Sequence, residues 1–227
     1  MSKSTLSCLI SLLLIFILVV PGFGQTRVGK FGVGVDGSMQ YILGAGTVKT
    51  TPAIGYGVNM SYSIMEGLGV RTNFAVNQLS WTVDNGGSTS DNGKSVTTDL
   101  MSLNFYLSVD LMPNSQFNVF LLGGGGLAFY DPKDQSTGTR APVSSSDIHY
   151  IGGLGADYFI NEFWSVTLMG EYVLTGSPYY NGNGAQPPVT GNDSFLRGSI
   201  QVRYYFFDSA FITKLLNAQK DRSKRSK

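Results

Sequence analysis

The residues whose types could support catalysis lie around position 149. His149 is the single histidine of the chain, and it follows Asp147 and the serines at 144–146. A hydroxyl nucleophile, an imidazole base and an orienting carboxylate can carry out acyl transfer when they come within hydrogen-bond reach of one another. No spacing in this segment enforces that arrangement. Acyl transfer is therefore the least favoured of the functional hypotheses.

A run of four glycines, Gly123–Gly126, has the composition of a phosphate-binding loop. Such a loop needs a following helix and a placed lysine, and the sequence after the run supplies neither. Glycines inside a strand instead indicate close backbone approach or bending of the strand. We expect the second explanation to hold, and we expect no metal and no cofactor.

A third set of candidates consists of charged residues that share the polar phase of alternating segments: Asp36, Arg71, Asp110, Asp157, Glu171, Arg197 and Arg203. An isolated buried charge costs several kcal/mol, so these side chains must be paired or hydrated. Counted from the nearest turns, Glu171 and Arg197 lie on neighbouring segments, above the other five. Two hypotheses stay open, a structural ion network or a gate that re-pairs to admit ions. The first is favoured because narrow lumens are normally filled.

The segment that positions Arg197 and Arg203 is 194–207, SFLRGSIQVRYYFF. Leu196, Ile200 and Val202 alternate with polar residues, which predicts a strand with one apolar and one polar face. Its apolar face ends in Tyr204 and Phe206, where a membrane-spanning strand carries its aromatic girdle.

Six further segments alternate in the same way, and a seventh, 117–130, is apolar on both faces. With 194–207 the predicted strands are 31–41, 54–64, 68–83, 101–111, 117–130, 148–160 and 164–174. Their connections alternate in length, with long ones at 44–51, 84–96, 131–146 and 176–193 and short ones at 65–67, 113–115 and 161–162. A barrel with short turns at one end and long loops at the other requires this alternation. Because hydrocarbon forbids unpaired backbone groups, the sheet must close. We predict an all-β, eight-stranded antiparallel up-and-down transmembrane β-barrel.

One predicted strand changes its phase. In 68–83, Leu79, Trp81 and Val83 fall out of step with the earlier apolar residues. This predicts a bulge or a bend near the rim. The competing fold is a soluble, lipocalin-like barrel, which would have an apolar interior and a polar exterior.

The ends of the chain predict its domain organisation. Residues 1–24 combine Lys3, an apolar run and small residues before a cut at Gln25, as in a cleaved secretory signal peptide. The alternative, an uncleaved N-terminal anchor, is disfavoured because the run is short for a membrane-spanning helix. Residues 25–208 form the barrel domain, and 209–227 form a basic periplasmic tail with six basic residues and one acidic residue. The sole cysteine, Cys8, leaves with the signal peptide.

Two stretches carry a family resemblance. Val119–Tyr130, VFLLGGGGLAFY, resembles the glycine-rich strand of OmpA-like and OmpX-like small outer-membrane barrels. Gly152–Tyr172 resembles the hairpin that follows in that group. The resemblance implies the outer membrane of a Gram-negative-type bacterium, contact with membrane lipid and lipopolysaccharide, and a closing strand read by the outer-membrane assembly machinery. It does not imply cell-wall anchoring.

The predicted function is therefore non-enzymatic: envelope integrity, or surface contact with an extracellular partner through the outer loops. Tyr179 and Tyr180 are the loop contact candidates, because tyrosine among Gly, Asn and Pro is adaptable contact chemistry. A solvated loop without a partner is the simpler explanation of that segment. A small pore or carrier for small solutes is the alternative function, and a lipid-modifying enzyme ranks third. The formal net charge of +1 gives no attraction to nucleic acid.

Overall fold

The computed structural model describes residues 28–43, 48–83, 95–134, 138, 146–176 and 194–206. Its strands are β1 (Phe31–Ile42), β2 (Val48–Thr51), β3 (Ala53–Met65), β4 (Leu68–Val83), β5 (Ser95–Asp110), β6 (Phe117–Asp134), β7 (Ser146–Phe159), β8 (Trp164–Thr175) and β9 (Ser194–Phe206). β2 and β3 both pair with β4 and are separated by Pro52, which has no N–H to give to a ladder. They are two pieces of one barrel strand. The predicted signal peptide and the predicted basic tail lie outside the described residues.

The sheet closes into a ring of antiparallel neighbours. β1 pairs with β3 on one side and with β9 on the other, and the pairing of β4 with β5 completes the circle. With β2 and β3 counted once, this is the predicted eight-stranded barrel. No helix in the described part of the chain is long and apolar enough to span a membrane.

The two ends of the barrel differ. The short turns after Met65, Asp110 and Phe159 lie at one end, together with the start of β1 and the finish of β9. We call this the inner end. The strand ends that flank the longer connections, 43–47, 84–94, 135–145 and 176–193, lie at the opposite end, which we call the outer end, as in membrane barrels generally.

The distribution of polarity is that of a membrane barrel. Large apolar side chains face outward, and Ile54, Leu154 and Leu168 are 77%, 61% and 59% exposed. Polar side chains face the lumen, where Asn104 is 0% and Arg203 1% exposed. A soluble barrel would expose its polar side chains and bury the apolar ones. The lipocalin-like alternative is therefore wrong, and the transmembrane prediction is confirmed.

An aromatic cluster lies on the lipid-facing surface of the barrel, near its inner end. Tyr204 contacts Trp164 with ring centroids 5.0 Å apart and Phe163 at 6.1 Å. Phe31 contacts Phe206 edge-on at 5.5 Å. Aromatic rings are apolar, and tyrosine and tryptophan also carry a polar O–H or N–H group. Such side chains are favoured at the boundary between hydrocarbon and water. The girdle predicted from the closing strand is present.

The strands continue further toward the outer end than the sequence predicted. β5 begins at Ser95 and not near 101, β6 continues to Asp134, and Val48–Thr51 forms β2 within a predicted loop. Beyond the apolar band the outward residues of β5 and β6 become polar, as at Asp99 and Asp131. The period-two pattern of apolar residues therefore stops while the backbone pairing continues.

The predicted bulge in 68–83 is wrong. β4 pairs with β5 from Leu68 opposite Val109 to Thr82 opposite Ser95 without a shift in register. Leu79 keeps the inward phase and is 1% exposed. The strand keeps its register. The apolar residues change phase in the sequence because the inward residue at this height is the apolar Leu79.

The glycine run is partly explained by close packing. A Cβ at Gly124 would lie 1.9 Å from the carbonyl oxygen of Phe105, and one at Gly126 would lie 2.4 Å from that of Leu103. At Gly123, which faces outward, a Cβ would meet nothing within 4 Å. Gly125 is also constrained, because its Cβ would lie 2.9 Å from the carbonyl oxygen of His149. Gly124, Gly125 and Gly126 therefore let neighbouring strands approach, whereas Gly123 has no such constraint.

Candidate functional site

The inner part of the lumen contains four of the predicted charged residues. The Arg71 guanidinium binds Asp157, with Nη2 at 2.7 Å from Oδ2, and lies 3.8 Å from Asp110 Oδ1. Arg203 Nη1 lies 3.7 Å from the other oxygen of Asp157. Two arginines and two aspartates make this inner cluster electrically neutral. Arg71 also lies over the ring of Phe120, 3.7 Å from its centroid, which adds a cation–π contact.

The outer part of the lumen contains the other predicted pair. Glu171 and Arg197 lie directly opposite on β8 and β9, and Arg197 Nε is 2.5 Å from Glu171 Oε2. The guanidinium also donates a hydrogen bond to the Tyr106 hydroxyl at 2.5 Å. Because this pair is nearly inaccessible to solvent, with side chains 0% and 5% exposed, its charges are stabilised by each other and by Tyr106.

Amide side chains connect the two charged groups. Asp36 accepts hydrogen bonds from Asn59 and Asn73, at 3.1 and 2.8 Å, instead of pairing with a nearby arginine. Asn59 accepts in turn from Arg203 Nε at 3.0 Å. The ladder continues toward the outer end, where Asn104 donates to Asn73 at 3.3 Å. Asp36, which the sequence placed near the turns, thus lies between the two charged groups.

His149 closes this ladder. Its Nε2 lies 2.6 Å from Asn104 Oδ1, and the residue is 3% exposed. The carboxylate of Asp147 accepts hydrogen bonds from the backbone N–H groups of Ile148 and Gly176. Ser146 is exposed at the start of β7. In these contacts the partner of His149 is an amide oxygen, and Ser144 and Ser145 lie outside the described residues.

A group of six hydrophobic side chains lies near the outer end of the lumen, beside the buried polar residues Gln40 and Thr98, which pair with Ala53 and Leu79. We call this group the outer seal, and it consists of Ala53, Leu79, Leu100, Ala128, Tyr130 and Phe195, which are 1–4% exposed and belong to one buried cluster. Below it lies a cavity of about 20 Å³, and near the inner end a second of about 10 Å³. Either volume has room for about one water molecule.

Several lumen residues were not recognised in the sequence as members of the network. Asn59, Asn73 and Asn104 share the polar phase of their strands with the charged residues, and that phase was their signal. Tyr106 was not named as a lumen residue, although it shares the polar phase of β5 with Ser102, Asn104 and Ser108. It lies inward and is 4% exposed.

A smaller polar cluster lies on the outside of the barrel near the outer end. Lys133 Nζ lies 2.9 Å from Asp99 and 3.2 Å from Asp131, and Gln78 donates to Asp99 at 2.9 Å. The hydrogen bond from Lys133, with that from Gln78, holds the pKa of Asp99 below its ordinary value of 3.8. Because an outward charge is costly in hydrocarbon, this cluster marks the outer boundary of the apolar band.

Tyr179 and Tyr180 lie outside the described residues, so their role stays a prediction. Within the described ranges, no group of three or more histidine, cysteine or acidic side chains could hold a metal ion.

The comparisons with known proteins concern the fold. No family model and no curated protein matches the chain. OprG, an outer membrane protein of Pseudomonas aeruginosa, superposes with a TM-score of 0.54 and 13% identity over 82% of this chain and 99% of its own. Ail, the attachment invasion locus protein of Yersinia pestis, solved with the heparin analogue sucrose octasulfate, gives 0.51 and 12% over 79% and 99%. The chain has the fold of small eight-stranded outer-membrane barrels, as the OmpA-like and OmpX-like resemblance implied.

Proposed function

We propose that this chain is a non-enzymatic bacterial outer-membrane protein that contributes to envelope integrity or surface contact. In this proposal the barrel is a closed scaffold, and the outer connections act at the cell surface. The observation that carries it is the filled lumen, in which Arg203, Asp157 and Glu171 are 1–2% exposed. A lumen filled by paired and hydrogen-bonded side chains is expected of a rigid scaffold and not of an open pore.

Localisation in the outer membrane is part of the proposal. It is supported by the apolar outer face, the aromatic cluster at the inner end and the signal-peptide pattern of 1–24. In that setting the partners of the barrel wall are membrane lipid and lipopolysaccharide. The alternation in β9 is the feature that the assembly machinery would read.

Topology can be tested with proteinase K on intact cells that produce the protein. We expect cleavage in connections 84–94, 135–145 and 177–193, and protection of the turn at 65–67. Cells with a permeabilised outer membrane serve as the control, since there the short turns become reachable from the inner side. Recovery in the soluble fraction, or cleavage of 65–67 alone in intact cells, contradicts the proposal.

The absence of enzymatic activity is also a proposal, and it is supported by the engagement of His149 with Asn104. Lipid A mass spectra from cells that carry wild-type protein, His149→Ala or no protein should be identical. A lipid species that requires wild-type protein and disappears with His149→Ala would restore the enzyme hypothesis.

A further inference from the structure

The outer seal differs from the rest of the lumen. Its six side chains project from β3, β4, β5, β6 and β9, and none carries a charge. The cavity directly below shows the transition. Leu100, Ala128 and Phe195 line it together with the polar groups of Ser102, His149 and Arg197.

This difference matters for permeation. An ion that moves through the lumen must exchange its hydration shell for partners on the protein. The asparagine ladder and the ion pairs supply such partners along most of the lumen. Of the six side chains of the outer seal only Tyr130 carries a polar atom, and Gln40 and Thr98 are buried beside them at the same level. Narrow constrictions lined mainly by apolar groups exclude water by dewetting.

The charged groups also differ in their access to solvent. At the inner end, the side chains of Arg71 and Asp110 are 9% and 12% exposed. Behind the outer seal, the side chains of Glu171 and Arg197 are 0% and 5% exposed. The lumen is thus partly open to water from the inner end and closed at the outer end.

We propose that the outer seal is the permeability barrier of the lumen, and that the ion pairs beneath it are structural and do not gate. This inference rests on the proposed closed scaffold and says which residues close it. It requires that breaking the Glu171–Arg197 pair leaves the lumen impermeable. It also requires that polar groups within the seal make the lumen permeable to small ions.

Single-channel recording in planar bilayers tests these requirements in potassium chloride. The seal variant is Leu79→Ser/Leu100→Ser, and the ion-pair variant is Glu171→Gln/Arg197→Gln. The matched control is Leu122→Ser, which places the same polar group on a buried lumen residue below the seal. We expect wild type, the ion-pair variant and the control to be silent, and the seal variant to show openings whose total duration is at least ten times that of current events in bilayers without protein.

Each variant is first checked for folding by its heat-modifiable migration in gels. If the double seal variant does not fold, the single change Leu100→Thr, which introduces a hydroxyl with a smaller change in shape, takes its place. A silent seal variant overturns the inference, and so do openings in the ion-pair variant. Openings in wild type instead overturn the proposed closed scaffold, so the two failures are distinguishable.

Discussion

Removal of one partner from the Glu171–Arg197 pair should destabilise the barrel strongly. The two side chains are 0% and 5% exposed and 2.5 Å apart. Substitution of either residue therefore leaves the charge of the other buried without an ion partner. Loss of one partner of a buried pair costs roughly 3–5 kcal/mol, which is a factor of about 100 to several thousand in the folding equilibrium. We therefore expect Glu171→Leu alone and Arg197→Met alone each to lose that amount.

The double variant Glu171→Leu/Arg197→Met should recover most of the loss. Two apolar side chains of similar volume need no ion partner, and such replacements are often neutral or stabilising by about 1–4 kcal/mol. Tyr106 reduces the recovery, because its hydroxyl loses the hydrogen bond from Arg197. The single variants and the double variant together give the coupling energy of the pair.

Urea unfolding of the protein in phospholipid vesicles, followed by tryptophan fluorescence, measures these free energies. If the slope of the unfolding free energy against urea concentration is unchanged, the variants expose the same surface area on unfolding as the wild type. Asp99→Asn is the control, because its pair with Lys133 lies at the exposed rim and contributes little. Single-variant losses below about 1 kcal/mol would mean that the pair behaves as a hydrated surface pair, and would refute the burial of the pair in the outer lumen.

Three further predictions follow from the outer face and the strand packing. Gly170→Ala should stabilise the protein by roughly 0.5–1 kcal/mol because its Cβ meets nothing within 4 Å, whereas Gly153→Ala, 2.5 Å from a carbonyl oxygen, should destabilise it in the same urea titration. Leu168→Arg on the lipid face should cost about 2–4 kcal/mol in vesicles, and a cost near zero would contradict its placement. Lys133 lowers the pKa of Asp99 below 3.8, so the contribution of Asp99 is present above that value and is lost as the pH falls through the lower folded-state pKa. Asp99→Asn should therefore cause a small loss at pH 7 and none well below pH 3.8, and the same loss at both would exclude ionisation as its cause.

The sequence predicted the barrel well because one period governs both faces of each strand. Outward residues such as Leu168 and inward residues such as Thr167 are sorted by lipid and lumen, and that sorting appears directly in the chain as alternation. The alternation of short and long connections then supplied the topology.

The outer ends of the strands could not be predicted in the same way. There the exterior becomes polar at Asp99 while the interior becomes apolar at Leu79 and Leu100. When the inward residues become apolar and the outward residues polar, the sequence pattern looks like a change of register. The predicted bulge in 68–83 arose from this exchange of polarity. Only the pairing partners along β4 and β5 distinguish a reversed polarity from a slipped strand.

The lumen was predicted residue by residue but not pair by pair. The polar phase identified Arg71 and Asp157, yet these side chains are 86 positions apart in sequence and meet across the lumen between strands that are not neighbours. Which charges meet depends on strand tilt and shear, and a single strand's pattern contains neither. Only the Glu171–Arg197 pair, on adjacent strands, was placed together from the sequence.

The central claim is that each strand presents its apolar face to lipid and its polar face to the lumen. Spin labels placed one at a time along β8, from Ser165 to Thr175, test it in vesicles by their collision rates with dissolved oxygen. We expect the rates to alternate with a period of two residues, with maxima at the even positions that include Leu168 and Tyr172. Maxima at the odd positions that include Thr167 and Glu171, or no alternation, would contradict the claim.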